Sequence, residues 1–135
     1  MTEEDLSEIL DKGLTNEDNL CEIEWKIYVV LYLETVADME GWDFFFTYKM
    51  EWYELLRDTL KAIGDKKSLQ IILDYEKHFR DLNIQFTSAS IDEFLLKADE
   101  HYFDACPDWR ELFSENRETR MNLLLEYYQS IKGKA

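Results

Sequence analysis

One proline and four glycines punctuate 135 residues, and that scarcity is the tightest constraint on the fold. A sandwich or barrel of short strands needs a turn roughly every 8–12 residues, and such turns draw on Gly and Pro for backbone angles that other residues resist. This chain has too few of them, so long unbroken segments are expected. Within those segments apolar residues recur three and four apart, the period of an amphipathic helix. The reading is all-α: a compact single-domain bundle of about six helices, with residues 1–135 forming one acidic helical domain.

The expected segments follow in order. Residues 2–12 predict a short helix capped by Thr2 with Asp5, carrying Leu6, Ile9 and Leu10 and ended by Gly13. Thr15 and Asp18 repeat the capping pattern before a long segment from about Asn19 to Asp38. Its centre, Ile27 to Leu33, is β-branched and aromatic enough for a strand. Its apolar face is too long for one strand, which predicts the central buried helix instead. Gly41 predicts a turn, and Phe44, Phe45 and Phe46 a buried turn or short helix. A helix over about Met50–Ile63 stops at Gly64, and Asp65 caps the next, with Leu69, Ile72, Tyr75 and Phe79 as its stripe. Ser90 and Glu93 form a capping box for a helix running through Phe94, Leu95, Ala98 and Tyr102, after a loop over residues 81–89. Pro107 breaks that helix and starts a turn with Trp109, Leu112 and Phe113, and Ser114 caps a last helix bearing Met121, Leu124, Leu125 and Tyr128.

The 46% hydrophobic and 15% aromatic content excludes intrinsic disorder, which needs a chain poor in core-forming side chains. No apolar run approaches the roughly 18 residues of a membrane span, and the acidic start does not read as a signal peptide. A cytoplasmic protein is expected, with Cys21 and Cys106 as reduced, partly buried thiols.

The formal charge is −15, and its distribution is uneven. Residues 1–60 hold 16 acidic and 4 basic side chains, a net of −12. Glu4, Glu8 and Asp11 share one side of the first helix, Glu51, Glu54 and Asp58 share the polar side of another, and Asp38, Glu40 and Asp43 cluster at the intervening turn. Carboxylates three or four apart on a helix lie roughly 5–6 Å from one another and mildly destabilise it. One function that favours such rows is recognition of a cationic groove. Duplex DNA carries one negative charge per about 1.7 Å of axis, and its binding proteins meet it with Lys and Arg. These nine residues are the expected partner-binding set. The alternative is a solvated acidic face that keeps the chain soluble, and acid near a helix start is also favoured by the helix dipole.

Candidate chemistry is sparse. Asp99, His101 and Asp104 could hold a metal or supply a base, but no HExxH and no second histidine at ligand spacing accompany them. Neither cysteine has the context of a nucleophile, no Ser lies in a GxSxG turn, and the isolated glycines form no phosphate cradle. The sign of the charge disfavours direct nucleic-acid binding. Trp25, Trp42, Trp52 and Trp109 read as core. The expectation is no enzyme, no metal and no cofactor.

The order of motifs then becomes informative. Glu40-Gly41-Trp42-Asp43-Phe44-Phe45-Phe46, Leu60-Lys61-Ala62-Ile63-Gly64, Ala98-Asp99-Glu100-His101-Tyr102-Phe103 and Leu124-Leu125-Glu126-Tyr127-Tyr128 together resemble a family of small bacterial all-helical proteins of the DMP type. That family is a domain-of-unknown-function family that includes a DNA-mimic protein, and the similarity covers about residues 22–130. The family turn reads Asn-Gly-Gly-Phe-x-Gln-(Phe/Tyr)-Phe. Gly41, Trp42, Phe45 and Phe46 match it, while Met39 and Glu40 replace the Asn and first Gly, and Phe44 replaces the Gln. The resemblance implies a helical protein, able to pair as a homodimer, whose acid imitates DNA and occupies a basic DNA-binding protein such as a transcriptional repressor. An immunity or antitoxin-type inhibitor of a basic nuclease is the alternative, and a small metal-dependent enzyme a third.

Overall fold

The structure, a computed structural model, describes residues 3–132. Its helices are α1 (Glu3–Thr15), α2 (Glu22–Met39), α3 (Asp43–Tyr48), α4 (Tyr53–Ala62), α5 (Lys66–Asp81), α6 (Ser88–Lys97), α7 (Glu100–Ala105), α8 (Trp109–Glu115) and α9 (Arg117–Lys132), with single 3-10 turns at Glu17–Asn19 and Met50–Trp52. The all-α expectation holds, but the expected count of about six was too low. Helices as short as α3, α7 and α8 span two turns or fewer, too little for a helical period to register in the sequence.

The second helix is the axis of the bundle, as its apolar length predicted. Ile27, Val29, Val30 and Leu33 are fully buried, and α2 touches α1, α3, α4, α8 and α9. A β-branched run suits this place because every face of the segment meets another element and none needs a polar side. Its start differs from expectation. Asn16, not Thr15, caps the 3-10 turn by accepting from the Asp18 N–H. The helix proper begins after Cys21, whose N–H donates to Glu24 Oε1 at 3.0 Å.

Gly13 lies inside α1 rather than ending it, and its lack of a side chain has a packing reason. A Cβ there would stand 2.3 Å from a ring carbon of the buried Tyr28. The expected Thr2 cap lies outside the described residues. Gly41 and Gly64, by contrast, turn the chain as read, with φ of +105° and +79°. Phe45 and Phe46 are fully buried, and Asp65 caps α5 by accepting from the Ser68 N–H.

Three later boundaries move. The α6 cap is Thr87, whose hydroxyl accepts from the Ser90 N–H at 3.3 Å, so the expected capping residue sits inside the helix. The expected continuation through Tyr102 is broken at Ala98, which is extended, and Asp99 caps a separate α7. Ser114 belongs to α8, and α9 begins at Arg117.

A buried polar cluster closes the end of the bundle where α5, α8 and α9 meet. Arg120, fully buried, donates through Nη1 to Ser68 Oγ (3.1 Å) and to the Phe113 carbonyl (2.8 Å). Its guanidinium carbon lies 3.6 Å over the Phe113 ring. Nη2 stands 3.0 Å from Glu34 Oε1, off the line of a hydrogen bond, so that contact is one of charge. Asn116 Nδ2 donates to Asp65 Oδ1 at 2.7 Å. Burial pulls the Arg120 pKa down, while Glu34 and Asp65 oppose the shift.

Candidate functional site

The nine expected partner-binding carboxylates fall into distinct environments. Glu4, Glu8 and Asp11 are exposed on α1, which packs on α2. Glu54 is exposed on α4. Asp58 is exposed too, and it lines a depression of about 450 Å³ together with Arg57, Lys61 and Lys66. Asp38 accepts from Arg110 Nε at 2.9 Å. Glu40, the residue that ends α2, and Glu51, in the second 3-10 turn, are exposed.

Asp43 stands apart from the exposed set. It is half-buried and accepts a hydrogen bond from the Tyr75 hydroxyl. Burial raises its carboxyl pKa, partly offset by that bond. The α2–α3 turn aims it inward, where Tyr75 comes from 32 residues away.

A different grouping emerges around Tyr32. Trp25, Tyr28 and Tyr32 lie along one side of α2, and Trp52, from the turn before α4, wedges against all three with ring centroids 5.2–6.0 Å apart. All but Tyr28 remain half-buried. Burial raises the Tyr32 phenol pKa, and the carboxylates of Glu17, Glu40 and Glu51 raise it further. The three acids belong to separate elements. Tyr28 beside it is pushed up to about 12, by burial first and then by Glu17. One cation joins the group, Lys49, whose Nζ lies 4.5 Å over the Trp52 ring.

Sequence reasoning singled out Glu40 and Glu51 but missed Glu17 and Tyr32. Glu17 sits in a turn with no helical row to reveal it. Of the four tryptophans expected in the core, Trp42 is buried (6% exposed), and Trp25, Trp52 and Trp109 are half-buried against that core.

On another part of the molecule, His78 Nε2 pairs with the Tyr102 hydroxyl at 2.7 Å and stands 3.9 Å from Cys106 Sγ. Burial lowers the His78 pKa and raises that of Tyr102. Of the three residues weighed as a metal or base site, Asp99 is committed to capping α7, while His101 and Asp104 are exposed. Among the described residues no three His, Cys, Asp or Glu side chains gather as a metal site. Cys21 is exposed and Cys106 half-buried, both free thiols. No described helix is long and apolar enough to cross a membrane.

The sequence model of the family described as DMP19-like protein matches residues 18–132, which is most of the chain, and the chain belongs to that family. No curated protein and no solved structure matches it.

Proposed function

From that membership as premise, we propose that this chain is a non-enzymatic acidic interaction protein that imitates the charge of duplex DNA and occupies the groove of a basic DNA-binding protein such as a transcriptional repressor. The observation that carries the reading is the family match over residues 18–132, joined to the excess of acid in the first 60 residues. That Glu17, Glu40 and Glu51, on separate elements, all push the Tyr32 phenol up supports it. The rigid aromatic floor of Trp25, Tyr32 and Trp52 suits the same partner, since arginine and lysine stack on aromatic faces. Such a surface attracts a cationic groove over long range and speeds encounter, with steep salt dependence.

The test starts from capture of the bound protein from native cytosol, followed by competition and salt titration. Duplex DNA should displace the captured partner, and affinity should fall steeply between about 50 and 200 mM salt, as it does for phosphate contacts. Reversing Glu40→Lys with Glu51→Lys should weaken the complex at least tenfold at low salt while leaving thermal stability nearly unchanged, because exposed substitutions matter little to folding. A partner indifferent to both DNA and salt would remove the proposal.

A further inference from the structure

A half-open cleft of about 520 Å³ lies between the α2–α3 turn, α5, α7 and α8, a size usual for small-ligand sites. Its accessible wall is aromatic, Tyr102, Phe103 and Trp109, with the buried Trp42 and Tyr75 packed edge to face behind it at centroid distances of 5.9 Å to each other and 5.5 Å from Tyr75 to Trp109. Three carboxylates line it, Asp43, Asp104 and Asp108. Its one lining cation, Arg110, is turned to Asp38, to which its Nε donates. Asp104 is exposed, and Asp108 keeps one oxygen on the Glu111 N–H as the α8 cap.

We propose that this cleft binds a guanidinium group, stacked on the accessible rings of Tyr102, Phe103 or Trp109 and paired with Asp43, with Asp104 and Asp108 on the approach. Three independent features agree on that chemistry: a cavity of ligand size, accessible aromatic rings on its wall, and a carboxylate held inside by a single phenol donor. Guanidinium suits them better than ammonium because it is planar, weakly hydrated and able to fork onto a carboxylate while stacking on a ring. Burial leaves Asp43 with its charged form disfavoured, and a bound cation would reverse that shift. The cleft does not depend on the Tyr32 group, and either proposal can fail without the other.

The group can come from an arginine within a polypeptide or from a free guanidino compound. Titration of the full chain with N-acetyl-arginine amide, followed by tryptophan fluorescence and by the indole N–H signals in NMR, tests the site. Saturable binding that perturbs Trp42 and Trp109 is expected, with at least tenfold weaker binding of N-acetyl-citrulline amide, the neutral isostere. Asp43→Asn should weaken binding at least fivefold. Asp104→Asn with Asp108→Asn, which retains an Asn able to cap α8, should do so as well and guards against a folding defect at Asp43. Glu40→Gln with Glu51→Gln should change it less than twofold. Free arginine has an α-ammonium and an α-carboxylate where arginine in a chain has neutral amides, so its refusal assigns the site to arginine in a chain, and tighter binding of free arginine than of the amide assigns it to free guanidino compounds. Citrulline amide binding within twofold of the arginine amide, or unchanged binding in both aspartate variants, would overturn the proposal.

Discussion

Replacing Arg120 with methionine is the sharpest test of how the helices are held together. The guanidinium is completely enclosed and joins four elements: Glu34 on α2, Ser68 on α5, the Phe113 carbonyl on α8, and its own α9. Methionine fills most of the same volume and keeps the contact with the Phe113 ring, so the cavity contribution is small. What remains is the loss of charge. Ser68 Oγ and the Phe113 carbonyl lose a donor, and two carboxylates that the guanidinium faced, Glu34 and Asp65, are left without it. Asp65 is 2% exposed. Removing one partner of a buried pair costs about 3–5 kcal/mol. For a chain this long, each kcal/mol moves the melting temperature by about 3–5 °C, so a fall of about 10–25 °C follows. Urea denaturation read by circular dichroism supplies the free energy, provided the slope m is unchanged. Asp65→Asn in the Arg120→Met background should cost less than Asp65→Asn alone, with a coupling of about 0.5–3 kcal/mol. A loss below about 1 kcal/mol for Arg120→Met, or additive behaviour of the two substitutions, would refute the assignment of Arg120 as the charge that neutralises this cluster.

Other expectations follow from single contacts. Gly13→Ala should destabilise by up to about 2 kcal/mol, because crowding the Tyr28 ring costs about 1–3 kcal/mol, of which the roughly 1 kcal/mol that alanine gains in a helix offsets only part; thermal melts check it, and a more stable variant would contradict the close approach. Neutralising Glu17, Glu40 or Glu51 to Gln should each lower the Tyr32 phenol pKa, since removing a nearby negative charge favours phenolate; NMR titration reads it without any partner, and an unmoved Tyr32 would deny that the acids converge. His78 has a folded pKa below its unfolded value, so the unfolded state binds more protons between the two. Stability is fully present above about pH 6.5 and declines as pH drops through the lowered pKa. His78→Gln should flatten the stability profile across that acid window, and a profile identical to the parent would rule out His78 as its source.

Much of the architecture was legible in the sequence because it rests on neighbours along the chain. The scarcity of Gly and Pro, the length of the α2 apolar run, the positive φ at Gly41 and Gly64, and the Asp65 cap are all decided within a few residues. The boundaries at Thr87 and Ala98 escaped for a local reason as well. Thr87 and Ser90 both carry hydroxyls suited to a cap, and the break at Ala98 has neither proline nor glycine to mark it.

The charged residues divide differently. Their number and their crowding into the first 60 residues could be counted from the sequence, but the fate of each carboxylate could not. Asp43 turns inward to meet Tyr75, Asp58 lines a depression with Arg57, Lys61 and Lys66, and Glu17 comes into range of the same phenol as Glu40 and Glu51. Helical periodicity ranks neighbours three or four residues apart, whereas the field at a point depends on distance through space. Only the packing of the elements around α2 fixes those distances, and so only the tertiary structure decides which acids act together.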